Sequence, residues 1–222
     1  MENILEKIAH CIEFGKINEA SPYPPELKGQ PGADELTKQA LQQGFSPDEI
    51  LQKGFIEGMD RVGKKFSEHK IFVPQMLMSA KSMNTAMENL KPFFQSGEAK
   101  RKGIFVIGTV AGDFHEIGKN LAAMMIAGNG WEVIDLGKDV NTEKFIGAIH
   151  KNPGCVVGLS ALLTTTMANM EETVKSLRKE FADLKILVGG APINKDFSEK
   201  IGADFYAPDP QKAVQYLKEI SG

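Results

Sequence analysis

At 222 residues the chain is long enough for one large domain or two small ones, and a 42% hydrophobic content supports a real core. A net charge of −3, with basic and acidic residues interspersed, leaves no basic stripe and so no electrostatic support for a nucleic-acid partner. No apolar run approaches the ~18 residues of a membrane-spanning helix, residues 1–7 lack the basic start and apolar core of a signal peptide, and Cys11 and Cys155 form no C-x-x-C. The expectation is a cytoplasmic protein with no membrane partner, no disulfide and no zinc site.

Residues 2–14 carry Ile4, Leu5, Ile8 and Ile12 at helical spacing and predict a first amphipathic helix. The proline- and glycine-rich stretch 21–32 predicts a long loop, and a short helix follows over 33–43, ended by Gly44. Ser46, Pro47, Asp48 and Glu49 spell an N-cap, a proline at the first helical position and a capping box. The helix they open has the stripe Ile50, Leu51, Phe55, Met59, Val62, Phe66. Gly54, Gly58 and Gly63 within it predict close approach of another helix, since each lowers helix propensity by about 1 kcal/mol relative to alanine. A fourth helix is expected over 73–94, with a face of Val73, Met76, Leu77, Ala80, Met83, Met87 and Leu90. Met83 and Met87 read as core. Four helices make a small bundle, expected over 1–96, and the polar, charged segment 97–102 predicts a linker.

Beyond the linker the pattern changes to strand and helix alternation over 103–222. Strands are expected at 104–109, 131–136, 155–160, 185–188 and 204–207, and helices at about 116–128, 142–150, 167–181, 194–201 and 210–220. Such alternation implies an α/β fold with a parallel sheet covered on both faces. The apolar, β-branched run from Ile104 leads into a loop at a strand's carboxyl end, where open α/β sheets place ligands. That loop holds Asp113 and His115, two apart. In extended backbone they point to one side, so the carboxylate takes one imidazole N–H and leaves the other ring nitrogen as a metal ligand. Five residues separate Gly112 from Gly118 and Asn120 follows Lys119, which rules out a P-loop, and there is no G-x-G-x-x-G. Ser160 and Thr164, near a strand end and before a helix, also suit capping of backbone N–H groups. Gly118, Gly189 and Gly190 suit turns or close packing. His10, His69 and His150 read as surface residues, Cys155 as core, and Trp131 as a packing residue beginning a strand.

The segment Gly112-Asp113-Phe114-His115-Glu116-Ile117-Gly118-Lys119-Asn120 resembles the cobalt-ligand signature of the corrinoid-binding proteins, which include the cobalamin modules of methionine synthase and the small corrinoid subunits of methyl-transfer systems. Gly158-Leu159-Ser160-Ala161-Leu162-Leu163-Thr164-Thr165-Thr166 resembles their second cofactor segment, Val188-Gly189-Gly190-Ala191 the third, and residues 71–80 their helical cap motif. The resemblance implies an N-terminal four-helix cap followed by a Rossmann-like domain that binds cobalamin with its own base swung away. His115 would take the lower axial site of cobalt, Asp113 would orient it, and Thr166 would stand where methionine synthase has a serine. Gly112, Phe114, Glu116, Gly118, Ser160, Leu162, Thr164, Gly189, Gly190 and Ala207 would contact the cofactor, and Phe66, Val73, Met76 and Leu77 would cover its upper face.

With bundle and cobalamin module filling the chain, the resemblance implies a methyl shuttle rather than an enzyme acting alone. A substrate-specific methyltransferase would load it, an acceptor methyltransferase would unload it, for instance to tetrahydrofolate, and a reductive activase is a possible third partner. The alternatives are a cobalamin-dependent mutase subunit, against which the apolar cap argues, and a cobalamin-based sensor, which needs an appended signalling element. A receiver-type switch lacks its acidic pair after the first strand.

Overall fold

Asn3 starts the first helix by accepting the Leu5 N–H through its side chain (3.1 Å), and α1 (Ile4–Glu13) buries Leu5, Ile8 and Ile12. The computed structural model describes residues 3–96 and 101–221, so residues 97–100 of the expected linker lie outside the described residues. The chain divides into two compact units, Met1–Arg101 with Gly128–Gly130, and Lys102–Ala127 with Trp131–Gly222.

In the helical unit, α2 spans Ala33–Gln42 and ends on Gly44 at φ +86°. The capping box forms, Ser46 Oγ accepting the Glu49 N–H (3.2 Å) and Glu49 accepting the Ser46 N–H (3.3 Å). The helix it opens runs without a break through α3 (Pro47–Glu49), a π segment (Ile50–Ile56) and α4 (Glu57–Ser67). The π segment departs from the expected regular helix. At 3.6 residues per turn, Ile50, Leu51, Phe55 and Ile56 would spread over about two thirds of the circumference, and a widened turn draws these buried side chains together. Gly54 and Gly58 have the expected packing reason: an added Cβ would stand 3.0 Å from Ile8 Cγ2 and 2.8 Å from the Ala9 carbonyl oxygen. The fourth helix is α5 (Val73–Met87), a 3-10 turn and α6 (Lys91–Ser96). The loop after α1 is tied down: the buried Lys16 donates to the Ser21 carbonyl (2.9 Å), and its own carbonyl accepts from Ser82 (2.8 Å) and Ala33 (3.1 Å).

The second unit alternates β1 (Ile104–Thr109), α7 (Ile117–Gly128), β2 (Glu132–Asp135), α8 (Thr142–Lys151), β3 (Val156–Ser160), α9 (Met167–Glu180), β4 (Lys185–Gly189), α10 (Lys195–Ile201), β5 (Phe205–Ala207) and α11 (Pro210–Ile220). All pairings are parallel, in the order β2-β1-β3-β4-β5. One face, with Val106, Val157, Leu159, Ile186 and Val188, forms a core with Phe145 of α8, Met170 and Leu177 of α9 and Ile201 of α10. Trp131 precedes β2 rather than beginning it and is buried, its N–H bonded back to Ile126. Among the described residues no helix is long and apolar enough to cross a membrane.

Candidate functional site

The strand order reverses its winding between β1 and β3, and the loops leaving the carboxyl ends of those two strands meet at this switch point. Asp113 joins them. Its fully buried carboxylate accepts through Oδ1 from the His115 N–H (3.0 Å) and ring Nδ1 (2.9 Å). Through Oδ2 it accepts from the Leu162 N–H (2.7 Å), the Leu163 N–H (3.2 Å) and the Thr166 hydroxyl (2.8 Å). Burial alone pushes this carboxyl up, but the hydrogen bonds from Leu162, His115 and Thr166 outweigh it and hold the group well below the usual carboxylate range. The Thr166 hydroxyl also lies 2.9 Å from the Leu163 carbonyl, and its single proton goes to the charged acceptor.

An ionised carboxylate only accepts, so His115 Nδ1 carries the ring proton and, in the neutral imidazole, Nε2 keeps its lone pair. The side chain is 50% exposed, and among the described residues no hydrogen bond occupies Nε2. The loop that carries the ring is braced on each side. Thr109 donates its hydroxyl proton to the His115 carbonyl (2.9 Å), Asp139 accepts the Gly112 N–H (2.7 Å), and the Asn169 amide donates to the Ala111 carbonyl (2.8 Å). Among the described residues no group of three or more His, Cys, Asp or Glu can hold a metal ion.

A cavity of about 580 Å³ opens beside the ring, against the face of the sheet opposite the main core. The register explains it. Along that face the outer row is Thr109, Ser160, Gly189, Ala207, the next Ile107, Gly158, Leu187, Phe205, and the innermost includes Phe105. Small residues in the middle columns leave a trough, and the helices across from it contribute the small residues Gly118, Ala122 and Ala213 beside Ile117, Lys119 and Ile126. An added Cβ at Gly118 would meet nothing within 4 Å, whereas one at Gly190 (φ +126°) would fall 1.8 Å from the Ala161 carbonyl oxygen.

Of the expected site residues, His115, Glu116, Gly118, Ser160, Leu162, Gly189, Gly190 and Ala207 line this cavity. Asp113 and Thr166 lie behind the imidazole, Gly112 makes the preceding turn at φ +77°, and Phe114 and Thr164 are exposed outside the cavity. Phe66, Val73, Met76 and Leu77 belong to the helical unit, where Met76 is buried, Phe66 and Val73 are half-buried and Leu77 is exposed. Sequence reasoning missed Lys119 as an anchor. Its buried ammonium pairs with Asp135 at the end of β2 and with the Asn120 side chain (2.6 Å), while its stem lines the cavity. It also missed Ile117 and Leu163, exposed apolar residues in the same two loop segments as the exposed Phe114 and Leu162.

Two family models, each described as a B12 binding domain, match residues 103–215 and residues 30–91. The chain is 38% identical to trimethylamine corrinoid protein 1 of Methanosarcina acetivorans over 85% of its length and 89% of that protein's. Among solved structures it resembles a cobalamin-binding protein from Desulfitobacterium hafniense DCB-2, with a TM-score of 0.75 and 27% identity over 99% of each chain. It also resembles a chain of the methanol:cobalamin methyltransferase complex MtaBC from Methanosarcina barkeri, with a TM-score of 0.81 and 28% identity over 98% of this chain and 79% of that one. A match that takes in both units and nearly the full length of a curated relative has one meaning: the chain belongs to the family of B12-binding corrinoid proteins.

Proposed function

We propose that this protein is a methyl carrier, holding cobalamin through His115 and passing a methyl group between two methyltransferases. The observation that carries this reading is the Asp113–His115 pair, in which a buried anion fixes the imidazole tautomer and leaves Nε2 free beside a deep cavity. The residues fit a corrinoid on two counts: one protein nitrogen is offered to a metal, and the trough between Gly158, Gly189, Gly118 and Ala213 has room for a nucleotide tail. Bound cobalamin supplies a cobalt centre able to accept and release a methyl group.

The chain's own residues orient, shield and move a proton. Asp113 holds Nδ1–H and would stabilise positive charge on the ring were Nε2 to carry a proton, while Thr166 and the Leu162 and Leu163 N–H groups keep that carboxylate ionised. Ser160, Leu162, Gly189, Gly190 and Ala207 would contact the tail and Gly112, Phe114 and Glu116 the corrin, while Phe66, Val73 and Leu77 of the helical unit would supply apolar cover; Met76, expected among them, is buried within its unit and has no surface to offer. Thr164, expected to touch the tail, stands exposed outside the cavity.

A relative named for trimethylamine and a neighbour named for methanol support a small methylated compound as donor to the loading methyltransferase. The acceptor methyltransferase would use a carrier such as tetrahydrofolate, with a reductive activase restoring spent cobalt. The test is the absorbance spectrum of protein reconstituted with cobalamin. His115→Ala is expected to lose the imidazole-ligated spectrum, and identical spectra for variant and wild type would remove His115 from the metal.

A further inference from the structure

We infer that the cavity selects the lower base of its corrinoid, accepting a benzimidazole and discriminating against a purine. This rests on the reading of the cavity as the slot for the nucleotide tail. Its inner part is walled by Phe105, Ile107, Leu187, Ala122, Ile126 and Ala213, none with a polar side-chain atom, and by Gly158, which has no side chain. The strand N–H and C=O groups there are engaged in the parallel ladders between β1, β3 and β4. Two hydroxyls stand in the outer row of the sheet face: that of Thr109 is given to the His115 carbonyl and Thr109 is not part of the cavity lining, which leaves Ser160. Tyr206 lines the cavity but stands one residue out of register with Ala207, and its ring packs with the opposite core. The ammonium of Lys119 is already shared between Asp135 and Asn120. Glu116 and Asp209 lie in the segments outside the strand ends, Asp209 capping α11.

A dimethylbenzimidazole attached to ribose has one free ring nitrogen and two methyl groups. That is one acceptor for one hydroxyl, with apolar edges for apolar walls. An adenine attached in the same way has three free ring nitrogens and an exocyclic amine. Seated in this slot, most of those groups lose their water and find no partner, and buried polar groups left unpaired are what a site rejects most strongly. Size does not make the distinction, since the two bicyclic bases are nearly equal in bulk. Polarity does.

The test is equilibrium dialysis of the full-length apoprotein with three probes: cobalamin, its adenine-based analogue and cobinamide, which has no nucleotide tail. The expected result is binding of cobalamin at least about tenfold tighter than the adenine form, with cobinamide weaker than cobalamin. Equal affinity for the two tailed corrinoids, both tighter than cobinamide, would overturn base selection while leaving the tail slot standing. Equal affinity for all three would overturn both, because the cavity would then hold no tail. Tighter binding of the adenine form would overturn the selection outright.

Discussion

Asp113 receives five donors on two oxygens, which is more than an amide can serve. Asp113→Asn would turn one oxygen into an NH₂ facing N–H groups, and is expected to cost about 2–4 kcal/mol in urea unfolding at pH 7 while loosening the imidazole. The pH dependence has a definite sign. A carboxyl whose folded pKa lies below its unfolded value contributes stability in full above the unfolded value, about 3.9, and loses it as pH falls toward the depressed folded one. The gap in unfolding free energy between wild type and Asp113→Asn should therefore narrow from pH 7 to pH 3. A gap that stayed constant or widened would mean the carboxylate is not held by these bonds. The Asp113–His115 pair was legible in the sequence because two residues in one extended segment meet through local geometry alone. The Leu162 and Leu163 N–H donors were not, since they arrive from 49 and 50 residues away and carry no side-chain signature. Lys119 was hidden for the same reason, its partner Asp135 being 16 residues on.

At the scale of elements, glycines that look alike in sequence divide sharply. Gly190 brings the end of β4 against the Ala161 backbone, so Gly190→Ala combines a forbidden φ with a backbone clash and should cost at least about 3 kcal/mol or abolish soluble protein. Gly118 sits in the first turn of α7 with nothing near its Cβ position, so Gly118→Ala should leave the apoprotein as stable as wild type or up to about 1 kcal/mol more so. The same methyl group enters the cavity wall, and the variant is expected to bind cobalamin several-fold more weakly in dialysis. Stability gained while affinity falls is the signature of a position kept small for a ligand rather than for the fold. Equal or better binding would mean that Gly118 is not kept small for the ligand. The helices and strands themselves were legible because breakers such as Gly44 and the Ser46 capping box act locally. The π segment Ile50–Ile56 was not, because it answers to which side chains must be buried together.

For the whole molecule, each unit has its own buried apolar residues, Ile8, Phe55 and Met83 in one and Val106, Val157 and Ile186 in the other. A ligand that binds only folded protein stabilises it by RT ln(1 + [L]/Kd), about 2.7 kcal/mol at one hundred times Kd. Cobalamin at that excess should raise the calorimetric transition of the sheet-bearing unit by several degrees, since that unit carries His115 and the cavity. The helical unit gives the discriminating result. If Phe66, Val73 and Leu77 cover the corrin, its transition must rise as well, and Leu77→Asp should diminish that rise without lowering the shift of the other unit by more than the lost contact. Leu77 is exposed, so a charge there costs the bundle little on its own. A helical transition indifferent to cobalamin would leave the His115 site intact and deny the bundle a covering role. The sequence carried the resemblance to a cap motif over 71–80, but a motif on one element is silent about what the element covers, and only ligand linkage between the two transitions reads that directly.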